Sequence, residues 1–150
     1  MSELTLPRAQ ATRAEQAWID TGLRYFLTAV CAGSAGVHAA LIQPHFLESG
    51  LLGSAFTAAA IALALAALVV RQPRHDSWAI PAATLALCVI AVSYMLSRST
   101  GIPLLIVQPE HIDRLGTVTT GAELVGAMCG AVLMARTVLM ARTVLMSRED

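Results

Sequence analysis

The side chains able to do chemistry are few. The chain holds four histidines and three cysteines. His38, His45 and His111, with Glu123, form an imidazole and carboxylate set of the type that suits Zn, Cu or Fe. The spacing is not diagnostic, because neither a HExxH nor a paired ExxH motif is present. Pro44 stands between His38 and His45, so a helix must run through a proline to put both on one face. A haem would need paired axial histidines at matching depths, and the sequence does not offer them. A small redox ligand such as a quinone is the other occupant such a polar cluster would take. Cys31, Cys88 and Cys129 lie in three separate apolar stretches and read as small packing residues. His75, among Arg and Asp, reads as a solvated loop residue. No phosphate loop, nucleophile elbow or basic nucleic-acid stripe is present.

The elements that must position these residues follow from composition. Of 150 residues, 56% are hydrophobic and 13% charged, with a formal net charge of zero. Mean hydropathy is +0.65. Soluble domains carry about 25% charged residues. The balance excludes a soluble globular enzyme, a disordered tail and a nucleic-acid binder, and indicates a membrane protein in contact with a lipid bilayer.

A spanning helix needs about 20 predominantly apolar residues. Four stretches qualify, at about 22–43, 51–70, 78–97 and 117–139. Lipid offers no partner to an open strand edge, so each must be helical. The expected fold is all-α, a transmembrane four-helix up-down-up-down bundle over 22–139. Residues 1–21 form a polar segment with mixed charge, unlike a signal peptide, and are expected to form a short surface helix or stay flexible. Residues 140–150 form a C-terminal extension. There VLMART at 132–137 recurs at 138–143 and again as VLMSRE at 144–149. Six residues advance a helix by about 600°, so the repeated arginines share no face.

All ten basic residues are arginine. Arg8, Arg13, Arg24, Arg71, Arg74, Arg136, Arg142 and Arg148 fall on one side of a four-span arrangement, and only Arg98 and Arg114 on the other. This bias predicts a cell-membrane protein with both termini cytoplasmic. The outer connections are then LIQPHFLESG and the long RSTGIPLLIVQPEHIDRLG. The apolar run from Ile102 to Val107, with Pro103 and Pro109, is expected on the membrane surface or over the bundle mouth. Pro44 and Pro109 each fit the first position of a short helix.

His38 and Glu123 each lie about five residues inside the outer boundary, about 8 Å deep. Thr57, Ser93 and Tyr94 fall near the same layer. A carboxylate within a span is costly and usually faces the protein interior. Glu123, Gly126 and Gly130 share a helical face, and Ala32, Gly36 and Ala40 form a matching small face on the first span. Packing of these faces would bring His38 within reach of Glu123. Two other readings of Glu123 stand beside this pair. Thr120-Gly-Ala-Glu123 matches a capping box, in which Glu123 reaches back to the helix start. Glu123 also suits a ligand or proton-carrying role. Arg98 either snorkels at the outer interface or pairs with Glu48, Asp113 or Glu123 and ties the outer loop to the bundle.

The runs GVHAALIQPHFLESGLLGSAF, SRSTGIP and PEHIDRLGTVTTGAEL resemble a family of uncharacterised small four-span bacterial integral membrane proteins. The resemblance covers roughly residues 30–130. One departure is Pro44, which directly precedes His45, whereas the family shows a Pro-x-His turn. The resemblance implies a fold and a residue set without an activity: His38, His45, Glu48, Arg98, Gly101, Pro103, Glu110, Asp113 and Glu123. In fold and size the chain is also similar to DoxX-like four-helix membrane proteins.

The expected function is that of a non-enzymatic accessory or assembly subunit of a membrane complex, or of a homo-oligomer. The alternative is an outward-facing metal, haem or quinone site. In that reading His38 and Glu123 form the floor and His45 and His111 the mouth, with Glu48, Arg98, Glu110 and Asp113 as structural or lid residues. A weaker alternative is a small oligomeric transporter.

Overall fold

The computed structural model describes residues 5–102 and 111–146. Among the described residues there are four α-helices: α1 (Thr5–Glu48), α2 (Gly50–Val70), α3 (Asp76–Ser99) and α4 (Arg114–Met146). A single 3₁₀ turn, Pro73–His75, leads into α3. All four helices are long and apolar enough to cross a membrane, as a multi-pass membrane protein requires. The 44 residues of α1 reach about 66 Å, well beyond a hydrocarbon core about 30 Å thick. Its polar beginning therefore continues the first span as helix. The VLMART repeats are likewise helical, as far as Met146.

Two further boundary differences bear on the site residues. First, α1 runs through Pro44 to Glu48. Proline removes one backbone donor, and so close to the helix end little of the hydrogen-bond ladder remains to be lost. Ser49 ends the helix instead. Its N–H bonds His45 O at 2.9 Å, and its side chain accepts from the Leu52 N–H to cap α2. Second, α4 begins at Arg114, so Thr120 and Glu123 lie inside it and the capping-box reading of Glu123 fails. Asp113 is the cap: its carboxylate accepts the Gly116 N–H at 2.6 Å. The end of α3 follows from Gly101, whose φ of 76° is costly for any residue with a Cβ. The Gly101 N–H there bonds Leu96 O at 2.9 Å.

The helices pack in a ring, α1 on α2 and α4, and α3 on α2 and α4. The core between them is narrow. Leu27, Cys31, Leu63, Val70 and Leu87 fill it, together with Ala79, Ala83 and Ala127. All three cysteines are free thiols, and Cys31 is buried in this core. Small residues set how close the helices come. A Cβ on Gly126 would lie 2.8 Å from Val30 of α1 and 3.0 Å from Leu87 of α3, and one on Gly130 would overlap Thr84 Oγ1 of α3. Gly126 and Gly130 are thus packing residues, as expected. Their partners differ from the expectation, since Ala32, Gly36 and Ala40 are exposed and take no part. The face of α1 that meets α4 is Val30, Ser34 and Asp20.

Buttressing ion pairs join the helices at the arginine-rich end. Arg24 of α1 forms a two-pronged pair with Asp76 at the start of α3 and also donates to Val70 O, the last carbonyl of α2, at 3.2 Å. Arg136 of α4 pairs with Asp20 of α1 at 2.5 Å. Each pair joins different helices at partly buried positions, where screening is weaker than on an open surface.

Candidate functional site

Among the described residues, one carboxylate is fully buried within a span. Glu123 is 1% exposed. It sits in the third turn of α4, on the face that carries Gly126 and Gly130. A buried polar group without a partner costs on the order of 1–3 kcal/mol, so a partner is required. Ser34 of α1 supplies it: the hydroxyl, also buried, donates to Glu123 Oε1 at 2.5 Å.

Ser34 also connects to His38, one helical turn on. His38 Nδ1 lies 2.9 Å from Ser34 O and 3.4 Å from Ser34 Oγ. A carbonyl only accepts, so Nδ1 carries the proton. The hydroxyl proton is committed to Glu123, so the same Nδ1–H points toward the oxygen of Ser34 Oγ. In the neutral ring Nε2 then holds a lone pair. The result is a polar chain of carboxyl, hydroxyl and imidazole that links α4 to α1. The sequence expectation of His38 within reach of Glu123 did not include Ser34, through which the two are joined. Its signal was its place four residues before His38, on the same helical face.

The second imidazole repeats the pattern. His45 Nδ1 lies 2.7 Å from Leu41 O, so its proton also points to the helix backbone. Because α1 continues through Pro44, both histidines face Phe56 of α2. The Phe56 ring stacks on His45 with centroids 3.8 Å apart and tilts against His38 at 5.4 Å. Nothing in the sequence pattern singled out Phe56, since an aromatic in an apolar span carries no signal of its own.

The other residues expected in this layer lie elsewhere. Thr57 and Ser93 turn their hydroxyls back to Gly53 O and Val89 O of their own helices. Tyr94 reaches Asp113 O at 3.4 Å and Thr117 Oγ1 at 3.2 Å. Arg98 pairs with Asp113 at 2.7 Å and lies over the Tyr94 ring at 4.8 Å. It ties the end of α3 to the start of α4, one of the two roles expected of it. Glu48 is exposed at the end of α1, and His111 is exposed ahead of α4. Pro103 and Glu110, with most of the expected lid, lie outside the described residues.

The metal set of His38, His45, His111 and Glu123 is not assembled. Among the described residues no three His, Cys, Asp or Glu side chains come together in a way that could hold a metal ion. The physical reason is visible in the pairing. Glu123 is turned inward to Ser34, the two Nδ1 atoms serve the backbone, and His111 stands apart on an exposed segment. Shallow hollows border Arg71–Arg74 and Ile112–Val118, and neither adjoins His38 or Glu123.

The remaining feature is the outer face of α1. Between Phe26 and Gln43 its exposed residues are Ala29, Ala32, Gly33, Gly36, Ala39 and Ala40, without one large side chain. A Cβ on Gly33 or Gly36 would meet nothing within 4 Å. Tyr25 and Phe26 bound this face at one end, and Phe46 and Leu47 at the other, all exposed. The other helices expose bulky residues at comparable depth: Ile61 and Leu65 on α2, Val89 and Val92 on α3, Val125 and Met128 on α4. No protein-family model, curated protein or solved structure matches the chain.

Proposed function

We propose that this chain is a non-enzymatic integral membrane protein that works by association. The exposed Ala32–Gly36–Ala40 face of α1 receives a transmembrane helix, from a second copy of the chain or from a subunit of a membrane complex. The observation that carries this reading is that face itself. It is small along about 16 Å of helix and unused within the bundle. Lipid tails give no hydrophobic drive to helix association, so close backbone approach at Gly and Ala supplies the contact energy. The polar chain of Glu123, Ser34 and His38 then has a structural role. It fixes α1 against α4 and so holds the docking face rigid.

The proposed topology is up-down-up-down across the cell membrane. Its support is the order of paired residues. Asp20, Val30 and Ser34 of α1 meet Arg136, Gly126 and Glu123 of α4, and Thr84, Leu87, Tyr94 and Arg98 of α3 meet Gly130, Gly126, Thr117 and Asp113. The partner numbers fall as the first rise in both cases. The end that holds Arg24, Arg71, Arg74 and Arg136 faces the cytoplasm, by the excess of arginine there.

The test is a Gly36→Leu variant, extracted without detergent in polymer-bounded native discs. The wild type is expected as a complex heavier than one chain. The variant is expected as single chains with unchanged helix content, because the added side chain enters open space within its own bundle. A wild type that is monomeric with no co-purifying subunit would remove the proposal.

A further inference from the structure

The charges at the arginine-rich end do not cancel evenly over its surface. Asp20 and Asp76 are both engaged, by Arg136 and Arg24. Arg71 and Arg74, in the turn between α2 and α3, have no carboxylate partner among the described residues. Arg71 is exposed and makes no side-chain hydrogen bond among those residues. Arg74 spends one N–H on Gln72 Oε1 at 2.7 Å and another on His75 Nε2 at 3.0 Å. Those two bonds fix the plane of its guanidinium and leave its other N–H groups to solvent. The hollow lined by Arg71, Gln72, Pro73 and Arg74 is open and measures about 360 Å³.

Depth is set by the neighbouring aromatic. Trp78, in the first turn of α3, is 54% exposed and lies against His75 with centroids 5.5 Å apart. A half-exposed tryptophan at the end of an apolar helix belongs at the level of the lipid headgroups. A bilayer that puts Trp78 at that level also puts Arg71 and Arg74, neither with a carboxylate partner among the described residues, at the height of the phosphates.

We propose that the α2–α3 turn binds the phosphate of an anionic phospholipid of the same leaflet. Arg71 and Arg74 are its donors, and guanidinium forks match the geometry of phosphate oxygens. Charge complementarity argues for this occupant. The turn carries two cations with no carboxylate partner among the described residues, and the surface it would face in a bilayer is made of phosphate diesters. The inference is independent of the α1 docking face. It rests on the bilayer placement of the helices, and the test separates the two.

The test uses the full chain in detergent, with phosphatidylglycerol or phosphatidylcholine titrated in and bound lipid counted by native mass spectrometry. The comparison is a double variant, Arg71→Gln with Arg74→Gln; both side chains are exposed, and helix content serves as the folding control. Wild type is expected to retain phosphatidylglycerol about thirtyfold more tightly than the variant, at about 1 kcal/mol per arginine near an anionic surface. Phosphatidylcholine retention is expected to be weak and equal in both, and millimolar inorganic phosphate should not displace the lipid. Equal phosphatidylglycerol retention by the two proteins would overturn the assignment. Displacement by inorganic phosphate would also overturn it, in favour of a free anion. A chain that stays in solution without detergent would not span a bilayer, and the assignment would fall together with that placement.

Discussion

Ser34→Ala is expected to destabilise the folded protein by about 1–3 kcal/mol, the cost of leaving a buried polar group unpaired. The change removes one oxygen from a site of otherwise unchanged shape. Its effect comes from Glu123, which at 1% exposure cannot turn to solvent and loses the donor it holds at 2.5 Å. The orphan also loosens the α1–α4 seam where His38 Nδ1 approaches the same hydroxyl at 3.4 Å, although its bond to the Ser34 carbonyl stays. Two companion variants make the argument specific. Glu123→Gln keeps an oxygen to accept the Ser34 proton and is expected to melt near wild type. Combining Ser34→Ala with Glu123→Leu removes both polar partners and is expected to recover much of the loss, since an apolar pair of similar shape leaves nothing unsatisfied. Thermal unfolding in mild detergent, followed by circular dichroism, gives all four values. Ser34→Ala melting with the wild type would mean that water or another group satisfies Glu123.

Gly130→Leu is expected to be at least as damaging. A Cβ at this position already overlaps Thr84 Oγ1, and leucine adds three more carbons. Thr84 cannot easily withdraw. It is buried in α3, and its hydroxyl is bound to Ile80 O at 2.8 Å. The helices must separate, which also loosens the Gly126 contact with Val30 and Leu87 one turn away. Overpacking of this kind costs about 1–3 kcal/mol, occasionally more. The same substitution at Gly36 meets open space, and its melting is expected within about 0.5 kcal/mol of wild type, as for surface changes. The contrast is the useful result. If both glycines respond alike in melting, the distinction between an inner and an outer small face is wrong.

That distinction marks the limit of what the sequence carried. The four apolar stretches and the inward turn of Glu123 were legible, the first because membrane spans are set by length and composition, the second because a carboxylate in a span is costly unless it faces protein. Helix phase was less so. Ala32, Gly36 and Ala40 are spaced like an internal packing motif, and spacing alone does not say whether such a face turns inward or outward. The orientation of α1 is decided instead by Leu27, Cys31 and Ser34, whose burial leaves the small residues outside. The ends of helices were also hard to place. Pro44 has the spacing of a helix start, yet α1 passes through it, and Thr120 resembles a cap although Asp113 holds that role. In both cases a nearby residue, Ser49 or Asp113, supplies a better stop or start. Arg24 with Asp76, and Arg136 with Asp20, are long-range pairs that no local pattern announces.

The proposal that α1 receives a transmembrane helix is tested most directly inside the native membrane. A photo-crosslinking side chain is placed at Ala40, on the small outer face, and in a second protein at Leu65, on the exposed face of α2. Illumination is expected to yield a covalent protein adduct from position 40, identified by mass as a second copy or another subunit, and only lipid adducts from position 65. Lipid adducts alone from both positions would show that the face of α1 is covered by lipid, and the account of this protein as an associating membrane subunit would be contradicted.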